Sequence, residues 1–269
     1  MVHQQLIQPA RAQALVSFIT TALAVAVTAA ACGSPAPPAA TKSGGSKRVD
    51  PATAGALSGR ATFSGTAPAA ETLQMASDQA CLQPSMPNPV SDAVLIAADG
   101  GLKNVFVYVK DGLDPEYGFD IPTTTVVLDQ KGCRYTPRIV GVRAGQPIDI
   151  VNSDPTLHNV HALPTANPEF NQGQPIQGFR TTRTFTTPEV MVRFKCDVHS
   201  WMAAHVGVVA HPYFAITKDD GSFEIPNLPP GTYTIEAWHE KFGTHVAKVT
   251  IGDKQSQTTS FTFTAKAEG

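Results

Sequence analysis

The chain has 269 residues, a formal net charge of −2 and 16% charged residues. With no basic stripe, this balance excludes an electrostatic nucleic-acid surface, and the length allows one large or two ordinary domains. The five methionines stand singly, so there is no methionine-rich tract of the kind expected of a metal carrier.

The chain opens on a weakly basic segment with Arg11, an apolar run from Ala14 to Ala31, and then Cys32. This is the layout of a secretory signal peptide over residues 1–31. A cysteine directly after Ala29, Ala30 and Ala31 resembles the cleavage and lipidation site of bacterial lipoproteins, although leucine is more typical where Ala29 stands. That resemblance implies lipidation of Cys32 and a membrane-anchored protein of the periplasm or cell surface. The alternative is a retained anchor, because the run is nearly long enough to span a bilayer. Residues 32–52 are rich in Pro, Ala, Gly, Ser and Lys without apolar periodicity, which predicts a flexible tether.

Gln146–Asp154 reads as a strand closed by turn residues, and His158 follows it immediately. Farther on, Val190, Val192, Phe194 and Cys196 share one parity and Met191, Arg193 and Lys195 the other, so a half-buried strand is expected to point Cys196 inward. The short spacings Cys196-x-x-His199-x-x-Met202 require a tight turn that brings all three around one point.

A thiolate, two imidazoles and a thioether form a ligand set that suits copper. The stretches His158-Asn159-Val160-His161 and Cys196-x-x-His199-x-x-Met202 resemble the copper-binding segments of the cupredoxins, and the short Cys-to-Met loop is most similar to that of amicyanin. The resemblance implies His158, Cys196 and His199 as equatorial ligands of one type 1 copper ion, Met202 as its axial ligand, and Asn159 as a brace for the loop around the sulfur. A zinc site using Cys196 and His199 with His158 or His205 stays open, as does an ordinary buried core. A binuclear copper centre needs a second cysteine beside the first, and multicopper oxidases flank theirs with histidines. Here the flanking residues are Lys195 and Asp197.

With Cys32 lipidated and Cys196 on the metal, Cys81 and Cys133 remain, and a disulfide between them is the economical reading, free thiols the other. His161 has the opposite parity to His158 and is expected to face away. His205 and His211 are expected near the ends of a strand at Val206–Val209, and His239 and His245 in a solvated loop, with a second weak metal site as the alternative. Trp201, inside the ligand loop, either shields the metal or packs.

After His211, Asp220-Gly221 and Pro229-Pro230-Gly231 mark turns between short alternating runs. Thr217–Ala237 closely resembles the carboxypeptidase regulatory-like module, a small transthyretin-like β-sandwich, with a last strand at Phe261–Phe263. Such modules usually open with strands like Leu57–Phe63 and Asn104–Val109. The expected architecture is therefore all-β: a Greek-key cupredoxin sandwich over 113–211, inserted into a second sandwich built from 53–112 and 212–269. The rival division gives the early strands to the cupredoxin. Function follows as an expectation: an exported blue-copper protein, not an enzyme, that carries single electrons between partners such as a c-type cytochrome or a copper or haem enzyme. A periplasmic copper carrier and a copper oxidoreductase domain are the alternatives. A loop at a sandwich end is accessible, so the His199 edge is where electrons are expected to pass.

Overall fold

The computed structural model describes residues 42–82 and 89–265. The predicted signal segment and Cys32 lie outside the described residues. Among these residues, no helix is long and apolar enough to cross a membrane.

The strands run in chain order as β1 (Lys42–Gly44), β2 (Gly55–Phe63), β3 (Phe106–Asp111), β4 (Gly118–Asp120), β5 (Val126–Gln130) and β6 (Tyr135–Thr136). They continue as β7 (Ile139–Arg143), β8 (Pro147–Asn152), β9 (His158–Leu163), β10 (Phe170–Gln174), β11 (Arg180–Thr184) and β12 (Glu189–Lys195). The last are β13 (Ala203–Val209), β14 (Phe214–Ile216), β15 (Ser222–Leu228), β16 (Gly231–His239), β17 (Gly243–Ile251) and β18 (Ser256–Phe263). Two 3₁₀ turns, Met75–Ser77 and Gln79–Cys81, interrupt the passage from β2 to β3. The described residues are all-β, apart from these turns.

Four sheets stack as two sandwiches. One pairs the five-stranded sheet β10-β9-β12-β13-β7 with the four-stranded sheet β11-β8-β5-β6. Its core holds Leu128, Tyr135, Ile148, Ile150, Val192 and Phe194 among others. The other pairs β14-β3-β16-β17 with β15-β2-β18, around Leu57, Val107, Phe223, Ile235 and Phe263. Its strands come from both sides of β5–β13: β3 pairs with β14 and β16, and β2 with β15 and β18. We call it the split sandwich and its neighbour the continuous one. Each is closed by burial of apolar faces that its strands alternate, as in Val192 and Phe194 buried beside exposed Arg193.

At Val190 the simple alternation fails. The register between β12 and β13 shifts between Glu189 and Val192, so Val190 leaves the face of Cys196. Val190 and Met191 both pack instead into a third cluster, with Phe106, Ile139 and Val209 at its centre. A bulge adds one residue to one strand and so resets parity beyond it.

That third cluster joins the sandwiches. Phe106 of β3 and Phe214 of β14 stack with centroids 5.5 Å apart and lie on the parallel pair β7–β13. Gly141 and Gly207 are register partners there, and a Cβ on Gly207 would lie 2.5 Å from Cζ of Phe106, one on Gly141 2.2 Å from Cε2 of Phe214. The missing side chains let two rings rest on bare backbone. Beside them Arg138 donates to both carboxylate oxygens of Glu240, the Nη2 bond at 2.9 Å, and to Asp92 at 2.6 Å from Nη1.

Two histidines lie in the same region. His205 packs on Trp238 at 5.0 Å, away from the predicted metal ligands, and His239 is fully buried and stacked on Phe242 at 4.6 Å. The expected solvated loop for His239 is thus corrected: β16 runs through it and carries its ring inward. Burial lowers both to about 4, because desolvation penalises the imidazolium.

Two outcomes follow. Gly207→Ala should lower unfolding free energy by about 1–3 kcal/mol through overpacking against Phe106, read by urea denaturation; an unchanged midpoint would refute the seating of the ring. Between pH 6.5 and about 4 the unfolded chain protonates His239 while the folded chain does not, so stability rises with pH in that window and falls on acidification, by up to about 1.4 kcal/mol per pH unit per such histidine. His239→Leu should flatten the pH dependence of the melting temperature relative to the parent, and parallel curves would contradict it.

Candidate metal centre

The site forms where β8 passes to β9 and β12 passes to β13. His158 opens β9 and has no exposed surface; Cys196 follows β12, and Met202 precedes β13. The turn between Cys196 and Met202 closes with the Met202 N–H donating to the His199 carbonyl at 2.9 Å. These are strand ends fixed by cross-strand pairing. Lys195 pairs with both His161 and Ala203, and so β9 and β13 flank the cysteine strand.

Three of the predicted ligand atoms converge. His158 Nδ1 and His199 Nδ1 are 2.9 Å apart, and Cys196 Sγ lies 3.8 Å from His199 Nδ1. All three lie within 4.8 Å of one another and all three residues are buried. Such spacings suit bonds of about 2.0–2.3 Å to a common ion. Met202 is 1% exposed and belongs to the same apolar cluster as Cys196.

Outer groups orient each of these side chains. Asp154 accepts from the His158 Nε2 at 3.0 Å and from the backbone N–H of Gly132 and Cys133 at 2.7 and 2.8 Å. Asp78 accepts from the His199 Nε2 at 3.1 Å and from the Thr156 hydroxyl at 2.7 Å. With both Nε2 atoms engaged, both Nδ1 atoms face inward. Asn159 donates its backbone N–H to the Cys196 sulfur at 3.4 Å, and its side chain bridges Asp197 and Asn171 across the ligand loop. Tyr135 donates to the carbonyls of Asn159 and Lys195, at 3.0 and 3.1 Å, and so ties the two ligand-bearing segments together.

The electrostatics agree with this geometry. Burial raises the Cys196 thiol, but hydrogen bonds from His158 and from backbone N–H groups outweigh it and hold the thiol below its ordinary value. Burial likewise opposes a charge on His158, yet Asp154 and Cys196 push it to about 9. His199 is lowered, chiefly by desolvation. The same contacts that hold the Cys196 thiol down are those a thiolate ligand needs, and a metal ion bound there would displace protons from the cluster.

Cys81 and Cys133 form a disulfide, Cα to Cα 5.4 Å. It packs against the histidines: Cys81 Sγ is 3.6 Å from His199 Nε2, and Cys133 lies in one cluster with Asp154 and His158. Trp201 donates to the Cys133 carbonyl at 2.9 Å with its ring 5.1 Å from His199. The expectation of an accessible His199 edge is overturned. His199 is 1% exposed because Asp78, Cys81 and Trp201 cover it.

Among the other histidines, His161 bonds Asp197 and Glu169 on the far side of its strand, and His211 meets the Val109 carbonyl at 2.9 Å. His245 stands edge-on to Phe263. Asp78 and Asp154 carry no motif in the sequence; their one signal is proximity, Asp154 four residues before His158 and Asp78 three before Cys81.

Residues 202–264 match the family model of the carboxypeptidase regulatory-like domain. The match starts on β13, which pairs within the continuous sandwich, and covers β14–β18 of the split one. No curated protein matches the chain. Among solved structures it is similar to an amicyanin variant in the Cu(I) state, at 22% identity over 31% of this chain and 81% of that one, TM-score 0.28. A purple cupredoxin from Nitrosopumilus maritimus has 18% identity over 31% of this chain and 97% of that one, TM-score 0.27. A copper-containing nitrite reductase from Thermus scotoductus has 18% identity over 45% of this chain and 27% of that one, TM-score 0.30.

Proposed function

We propose that the chain is a mononuclear type 1 copper protein that carries single electrons, exported and anchored to a membrane through Cys32. The observation that carries this reading is the convergence of His158 Nδ1, His199 Nδ1 and Cys196 Sγ in a buried site whose outer nitrogens already rest on carboxylates. Two imidazoles and a thiolate, with a distant thioether, form the donor set of blue-copper centres. His158, Cys196 and His199 would hold the ion, and Met202 would stand as the weak axial ligand. Bound copper would supply a one-electron couple between Cu(II) and Cu(I).

The protein's own part is to hold the ligands still. Asp154, Asp78 and the N–H groups on the sulfur keep the ligands in one arrangement, which limits movement between oxidation states. Burial of all three ligands supports carriage over turnover, because an enzyme needs a coordination position that substrate can reach. It also supports carriage over metal delivery, which requires an exit path. The partner on this reading is a redox protein such as a c-type cytochrome or a copper or haem enzyme, and the tether after Cys32 lets the domain reach it.

Copper-loaded protein should be intensely blue, purple or green, and Cys196→Ser should abolish the colour, read by visible absorption and electron paramagnetic resonance. Met202→Gln should keep copper and colour but lower the reduction potential, since oxygen replaces soft sulfur. A colourless stoichiometric Cu(II) complex, or tight zinc binding with no coloured copper form, would overturn the reading. Ready copper loss to an apo-acceptor together with redox inertness would replace it with a carrier.

A further inference from the structure

The segment between β2 and β3 belongs by connectivity to the split sandwich, yet Leu73, Met75 and Cys81 are buried in the core of the continuous one. Its two 3₁₀ turns end over the outer edge of His199. Asp78 lies between them, with Oδ1 accepting the Ala80 N–H at 2.8 Å and Oδ2 accepting from Thr156 and from His199. Three restraints hold it there: the Cys81–Cys133 disulfide, the Thr156 hydroxyl, and the apolar anchors Leu73 and Met75. The contact spans 121 residues of sequence.

We infer that Asp78 is a positioning residue for the metal centre: it fixes the proton of His199 on Nε2 and the lone pair on Nδ1, and it sets a negative charge beside the centre that favours Cu(II) over Cu(I). The first half stands on the hydrogen-bond geometry alone; the second rests on the copper reading above.

The physical argument is short. A neutral imidazole carries one N–H, and an ionised carboxylate can only accept. The Nε2 facing Asp78 must therefore be the donor, and Nδ1 turns its lone pair toward His158 and Cys196. His158 Nδ1 lies 2.9 Å from that lone pair, and its own Nε2 rests on Asp154. An outer carboxylate of this kind fixes the tautomer, raises ligand basicity and is typically worth 10–100-fold in metal affinity. Asp154 serves His158 from the adjoining loop. Asp78 serves His199 from the split sandwich, which gives that sandwich a part in the centre through the segment it carries.

The test uses the full chain as parent, Asp78→Asn and Asp78→Ala, each with its disulfide verified by thiol titration. Nitrogen-15 NMR of the metal-free protein should show a slowly exchanging His199 Nε2–H in the parent and in Asp78→Asn, whose amide oxygen still accepts, and its loss to solvent exchange in Asp78→Ala. In copper-loaded protein both variants should raise the reduction potential, because both remove the charge. The expected shift is about tenfold in the Cu(II)-to-Cu(I) affinity ratio, or about 59 mV for a one-electron couple. A His199 proton on Nδ1 in the parent, or an Nε2–H signal indifferent to Asp78→Ala, overturns the orienting role. Unchanged potentials in coloured copper forms of both variants overturn the electrostatic role. If no coloured copper form exists the function reading fails separately, and the metal-free spectra still decide the orientation. Should Asp78→Ala unfold the segment, Asp78→Asn retains the hydrogen bond and still reports the charge.

Discussion

Two imidazoles and a thiol meeting at one buried point impose a demand that much of the molecule is arranged to meet. Polar groups removed from water cost several kcal/mol unless hydrogen-bonded, and charges more. Here each is satisfied from outside the centre: His158 by Asp154, His199 by Asp78, and the Cys196 sulfur by the Asn159 N–H. Asp154 is in turn held by the Gly132 and Cys133 N–H groups, and Asp78 by Thr156. The loops that supply these partners are fixed by the disulfide and by Tyr135, which ties two segments at their carbonyls. Satisfying these side chains and ordering the loops are thus one arrangement.

The two sandwiches share this arrangement. The long excursion of the continuous sandwich leaves the split one at Asp111 and returns at Phe214, and the pairing of β3 with β14 and β16 closes the gap. Phe106 and Phe214 press against the glycine pair Gly141 and Gly207, with the Arg138–Glu240 pair alongside. Rings on bare backbone leave little room for sliding, because packed interiors resist small displacements. The 64–105 segment can then deliver Asp78 and Cys81 to a fixed place. A buried His199 edge has a functional consequence: a redox partner on the proposed reading meets a surface formed by the Asp78 segment and Trp201, not a bare imidazole.

Much was legible in the sequence because the information was local. The alternation through Val192 and Phe194 to Cys196, the x-x spacings to His199 and Met202, and the turn dipeptides after Thr217 each lie within a few residues, and backbone geometry translates such spacings directly into faces and turns. The all-β class and the regulatory-like module followed from these patterns. What misled was also local. The parity of Val190 was read without the bulge, and His239 was read as solvated from the polar residues around it, although β16 buries it.

By itself, then, the sequence determined the fold class, the donor types and their short-range spacing, since these depend on covalent connectivity and the two-residue period of a strand. Only the tertiary structure decided that His158 Nδ1 faces His199 Nδ1, that Asp78 reaches His199 across 121 residues, and that the His199 edge is covered. Those outcomes depend on which strands pair and how two sheets stack, and no spacing along the chain encodes the direction of a side chain relative to one brought beside it by packing.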